Sequence, residues 1–109
     1  MEKVGPQNPR FNSAQSTDSD GSPLLKLRGE LDMLSAVNLR EIIEELVEYP
    51  CDRLVVDLGE LDFMDSSGIA VLVYAANSIG TIELRNASPI IRRIIEVTGL
   101  SNILKLDPS

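Results

Sequence analysis

The stretch RLVVDLG, Arg53–Gly59, constrains the fold of this chain most strongly. Leu54, Val55, Val56 and Leu58 follow one another almost without interruption, whereas a strand with one wet face would alternate. The run predicts a central strand buried on both faces, which needs strands beside it and helices over it. In PLLKLRGELD, Leu25 and Leu27 alternate with Lys26 and Arg28, and in TIELRN, Ile82 and Leu84 alternate with Glu83 and Arg85. Both read as half-buried strands. Gly29 marks a bend, and NILKL supplies a last short strand.

Between these strands the period changes. Leu39, Ile42, Ile43, Leu46 and Val47 recur at helical spacing, with Glu41, Glu44, Glu45 and Glu48 on the other face. Ser35 is the expected N-cap and Pro50 the expected stop. GIAVLVYAANSIG is apolar all round, so periodicity does not decide it. Its length, its alanines and the polar Asp-Ser-Ser start predict a buried helix. SPIIRRIIEVTG is the clearest helix, with Ser88 as N-cap, Pro89 in the first turn and Gly99 as the closing residue. Ile90, Ile91, Ile94 and Ile95 line its inner side, leaving Arg92 and Arg93 as surface charges. Strands alternating with helices give an α/β domain. Residues 1–22 read as a polar N-terminal tail that frays over its first ten residues, with Phe11–Ser16 as a candidate weak edge strand. Residues 23–109 form the domain.

Several function classes are disfavoured by composition. A net charge of −7 over 109 residues argues against a nucleic-acid partner, whose binding depends on cations that release counterions. It equally disfavours an anionic membrane surface. Histidine is absent, which removes Ser-His-Asp and Cys-His catalysis and most zinc sites. Cys51 is the single cysteine, so no internal disulfide can form, and a small buried hydrophobe at a strand start is its expected role. No apolar run approaches the roughly 20 residues of a membrane span. The polar N-terminus lacks a signal-peptide core, and a cytoplasmic setting is expected.

Asp65-Ser66-Ser67-Gly68 stands directly before the apolar run. One serine reads first as a helix cap, and its neighbour is then free to point outward. A helix N-terminus also tolerates added negative charge, so a phosphoserine would fit there. Asp57, followed by Asp62 and Asp65, suggests a rival: the phosphate-accepting aspartate of a two-component receiver domain. That fold needs an acidic pair near its first strand and a late lysine. Here only Glu30 and Asp32 follow the first strand, and the chain is short for it.

GELD after a strand, LVVDLGELDFMDSSGIAVL in the middle and IIRRIIEVTGLSNIL near the end together resemble the STAS domain. In particular they resemble the bacterial anti-sigma factor antagonists (anti-anti-sigma factors), from about Leu24 to Leu106. The resemblance implies a small mixed β-sheet of four to five strands packed against helices. It implies a binding protein rather than an enzyme, one that captures an anti-sigma factor with serine kinase activity and so frees a sigma factor. By motif position Ser67 would be the phosphoacceptor, with Asp32, Asp65, Ser66 and Gly68 on the partner-binding surface. A PP2C-like phosphatase would reverse the mark. No nucleotide motif occurs in the chain, so ATP would be bound by the partner, and no cofactor or metal is implied. In three places the chain departs from the family pattern. ANSIGTIEL is shorter by about one helical turn, Ala70 stands where many relatives carry glycine, and the polar tail is longer than typical. The same resemblance admits a second class, a STAS scaffold or regulatory binding module not controlled by phosphorylation, which self-association would favour.

Overall fold

The computed structural model describes residues 11–48 and 51–107. Its elements are β1 (Phe11–Thr17), β2 (Pro23–Leu31), α1 (Met33–Val47), β3 (Arg53–Met64), α2 (Ser66–Ile79), β4 (Thr81–Arg85), α3 (Pro89–Val97) and β5 (Leu104–Leu106). They form one mixed five-stranded sheet in the order β1-β2-β3-β4-β5, with β3 at the centre. β1 is antiparallel to β2, and the other pairings are parallel. The β1–β2 hairpin closes through Asp18–Ser22, where the Asp18 amide donates to the Ser22 carbonyl at 2.8 Å and Gly21 takes a φ of 88°. The expected fraying of the first ten residues and the expected stop at Pro50 lie outside the described residues.

Each parallel step is made through a helix. Such crossovers are almost always right-handed, and three steps in one direction lay their helices on one face. Leu25 and Leu27 of β2, Leu54, Val56 and Leu58 of β3, Ile82 and Leu84 of β4 and Leu104 of β5 meet Leu39, Ile43, Leu72, Ile91 and Ile95 in a single core. Every one of these side chains is fully buried, each worth about 1.5–3 kcal/mol. Cys51 packs half-buried against this core, two residues before β3. In α3 only Ile91 and Ile95 are buried. Ile90 is exposed and Ile94 half-buried, because a period of about 3.6 residues rotates them off the inward line.

The apolar run of β3 is buried on both faces as expected, but the other face of the sheet is polar. Val55 is fully buried there, lying between Leu24 and Glu83 in the register. Its strand neighbours Arg53 and Asp57 are half-exposed. β3 is also longer than its apolar run. It continues through Gly59 and Glu60 to Met64, because β2 keeps pairing with it through two register shifts. Gly29, expected as a bend, sits at the second shift with a φ of 94°, and β2 runs on to Leu31. At the other end of the sheet α2 passes into β4 through Gly80 alone. Its φ of 112° makes that abrupt turn, and its amide donates to the Ala76 carbonyl at 3.0 Å. The ANSIGTIEL segment, expected to be short, spans the end of α2, this one-residue link and β4.

Ion pairs cover the polar face. Arg53 donates to Asp18 at 3.1 Å, Asp20 at 2.9 Å and Glu83 at 2.8 Å. Arg85 grips both oxygens of Asp18, at 3.0 and 2.9 Å, and also donates to Glu83. The Arg85 guanidinium holds the Asp18 carboxyl well below the usual carboxylate range, against an opposing effect of burial. Glu83 is lowered by Arg53 first and Arg85 second. Both carboxyls therefore bind protons less readily in the folded chain than in the unfolded one. Their stabilisation is complete above the ordinary carboxylate pKa of about 4 and is lost as pH falls below it toward the lowered folded values. Asp18→Asn should flatten this acid limb: urea unfolding at several pH values between 7 and 2 should show the variant losing less stability on acidification than wild type. Parallel pH profiles would assign the acid sensitivity to other groups.

Candidate functional site

β2 and β3 end side by side, with Leu31 paired to Met64. An aspartate follows each strand, and each aspartate caps the next helix. The Asp32 carboxylate accepts from the Leu34 and Ser35 amides, both at 3.1 Å. The Asp65 carboxylate accepts from the Ser67 amide at 2.8 Å and the Gly68 amide at 3.4 Å. Both caps have extended backbones, as N-caps require. The Asp65 amide donates to the Leu31 carbonyl at 3.1 Å, which ties the two helix starts together.

Two expected caps are corrected by this geometry. Ser35 is not the N-cap of α1 but its third helical residue, completely buried. Its hydroxyl accepts from the Asp32 amide and lies 2.8 Å from the Glu30 carbonyl, closing a capping box in which Asp supplies the first member. Neither Ser66 nor Ser67 caps α2. They are its first two residues, because β3 reaches Met64 and leaves Asp65 as the extended residue. No protein partner takes up either hydroxyl among the described residues. Ser66 is exposed and Ser67 half-buried.

The five expected site residues thus share one end of the sheet with different roles. Asp32 and Asp65 clamp backbone, and Ser66 and Ser67 present hydroxyls. Gly68, expected on the partner-binding surface, is buried. A Cβ there would lie 2.7 Å from Cγ and Cδ2 of Leu31 and 2.9 Å from Cγ of Met64. Its place in the motif follows from the close approach of α2 to the strand ends. Asp57 does not behave as a receiver aspartate. It lies within β3, not at its end, and accepts from the Gly59 amide at 2.8 Å and the Asn86 side chain at 3.2 Å.

The sequence reading missed three side chains at this end. Met33, Leu34 and Val37 on the first turns of α1 are 71%, 50% and 42% exposed. Their signal was an apolar stripe beside, and separate from, the core stripe of Leu39 and Ile43. Further along, α1 meets α2 where the Arg40 guanidinium lies 4.2 Å from the centre of the Tyr74 ring, a cation–π contact. Beyond it Glu44, Glu45 and Glu48 are exposed, with Arg40 paired to Glu44 at 3.4 Å. Arg92, read as a surface charge, is half-buried and donates to the Asp107 carbonyl, while Arg93 is exposed. Among the described residues no helix is long and apolar enough to cross a membrane.

A mixed five-stranded sheet with three helices is the arrangement of the STAS class of domain. The chain belongs to that family: the profile described as "Mlab, STAS domain" matches residues 14–106. It is 33% identical over 86 residues to the anti-sigma-B factor antagonist of Bacillus subtilis (strain 168), covering 75% of this chain and 78% of that protein. It is 30% identical over 92 residues to the anti-sigma-F factor antagonist RsfB of Mycobacterium tuberculosis, covering 82% and 75%. The solved structure of an anti-sigma factor antagonist from Mycobacterium paratuberculosis superposes with a TM-score of 0.82 at 28% identity, over 94% of this chain and 90% of that one.

Proposed function

We propose that this chain is a cytoplasmic anti-sigma factor antagonist that works by partner switching through Ser67. In its unmodified form it binds an anti-sigma factor that is also a serine kinase, and a sigma factor is released. The kinase, which binds the ATP, transfers the γ-phosphoryl group to the Ser67 oxygen; the hydroxyl proton is lost and ADP leaves. A PP2C-like phosphatase returns the serine by hydrolysis. The chain contributes a surface and an acceptor, not catalysis.

The observation that carries this proposal is the Ser67 hydroxyl itself. It has no protein partner among the described residues, stands on a backbone held by Asp65, and lies in a chain similar to proteins named as antagonists. Phosphorylation adds about −1.5 to −2 charges at neutral pH. The helix N-terminus offsets part of that within the free protein. At a contact surface the same group would be desolvated beside Asp65 with no designed counter-charge. The switch is therefore electrostatic exclusion rather than unfolding.

The test is incubation with purified kinase-type anti-sigma factors of the source organism and Mg-ATP, followed by phosphopeptide mapping. A phosphate is expected on Ser67 and none on the Ser67→Ala protein, which should still bind. Phosphate on Ser66 in both proteins would move the acceptor. Binding without any phosphorylation would make the domain a constitutive binding module.

A further inference from the structure

The exposed large apolar side chains of the described residues fall in three places: Met33, Leu34 and Val37 on α1, Phe63 near the end of β3, and Ile90, Val97 and Ile103 around α3 and β5. The first group can be located relative to Ser67. α1 and α2 both return from the C-terminal ends of adjacent parallel strands, so they run side by side in the same direction. Arg40 touches Tyr74. About two turns back along each helix, Arg40 leads to Met33 and Tyr74 leads to Ser67. Midway, on the same stripes, lie Val37 and the exposed Ala70. A strip therefore runs outward of the α1–α2 seam: Met33 and Val37 on one side, Ser67 and Ala70 on the other, with the Arg40–Tyr74 pair closing its far end.

We infer that the affinity for the anti-sigma factor resides in this strip, and that the partner meets it with an apolar patch bordered by basic side chains. The inference rests on the function proposed above and names the partner chemistry at that site. The core does not account for Met33 and Val37, because Leu39 and Ile43 serve it from α1. Burial of such side chains is what drives association, and methionine adapts its shape to a facing surface. The border supplies the sign of the charge. Asp32, Asp62 and Asp65 stand at the Ser67 end, and Glu44 and Glu45 lie beyond the Arg40–Tyr74 pair. Acidic borders favour a basic rim on the partner and repel acidic competitors. A phosphate on Ser67 would then arrive at the edge of a contact from which water is excluded.

The test uses the full chain and the anti-sigma factor that binds it most tightly among those of the source organism. Met33→Ser and Val37→Ser should each weaken binding about tenfold, and the double variant about a hundredfold. Val97→Ser removes an equally apolar side chain, 65% exposed, at the far end of α3, and should bind like wild type. All of these positions are exposed, and unchanged circular dichroism and melting temperature confirm that the variants fold. If Ser67→Asp abolishes binding while the double variant binds like wild type, the strip inference fails and the switch survives. Equal weakening by Val97→Ser overturns the strip as well. Wild type that binds no anti-sigma factor overturns both. A wild-type dimer made monomeric by the double variant gives the strip to a second copy of this chain and overturns the assignment.

Discussion

Ser67→Asp should bind the anti-sigma factor at least about a hundredfold more weakly than wild type while melting within about 2 °C of it. The two halves of that result have different causes. Within the free protein the new carboxylate sits in the first turn of α2, where the free amides and the helix dipole favour negative charge by about 0.3–1 kcal/mol. Asp65 opposes it from the cap position, so the net change in stability is small. At the interface the basic rim is already matched by Asp32, Asp62 and Asp65, and no counter-charge is left for a further anion. A carboxylate pressed against an apolar surface loses its water, and an unpaired buried charge costs several kcal/mol. Calorimetric titration and thermal unfolding of the same preparations separate the two. A Ser67→Asp protein that melts far below wild type would replace electrostatic exclusion with local unfolding as the basis of the switch.

Gly68→Ala should destabilise the fold by about 2 kcal/mol and lower its melting temperature by roughly 10 °C. Elsewhere in a helix the same change would gain up to about 1 kcal/mol from propensity. Here the added carbon would stand 2.7 Å from Leu31 and 2.9 Å from Met64. The atoms it meets are Cγ of both residues and Cδ2 of Leu31, not the free ends of long side chains. Leu31 and Met64 are themselves fully or almost fully buried, so neither has room to swing aside. The helix start must lift away from the two strand ends, which strains the Asp65–Leu31 hydrogen bond and moves Ser67 with it. Partner binding should fall as well, through position rather than charge. A Gly68→Ala protein as stable as wild type would show that α2 can shift freely.

Much of the architecture was legible because pattern and environment agree. The near-continuous run at Leu54–Leu58 does lie at the sheet centre, and Ser88-Pro89 does open α3. The reading failed where tertiary contacts outvote local ones. β3 is carried past Gly59 by pairing with β2, which no property of GELDFM itself demands. Ser35 looked like a cap because serine caps helices well, but Asp32 stands three residues earlier with the extended backbone. The same happened at Asp65. Apolar side chains left outside, such as Met33 and Val37, were hidden because helical periodicity identifies a stripe without saying which stripe faces inward. Gly68 appeared as a motif letter, and its cause was visible only once α2 and the ends of β2 and β3 were seen in contact.

The order of strands across the sheet is the order of strands along the chain. Each new strand is therefore added to the edge left by the one before it, and none has to be inserted between two that are already paired. A ribosome delivers domains from the N-terminus. During synthesis the β1–β2 hairpin can form first, from local contacts alone. Each later helix–strand unit then arrives at an open edge, and the growing nascent chain needs no rearrangement of what has already assembled. The proposed partner surface, built where β2 and β3 end, is complete once α2 has emerged, before β4, α3 and β5 are added.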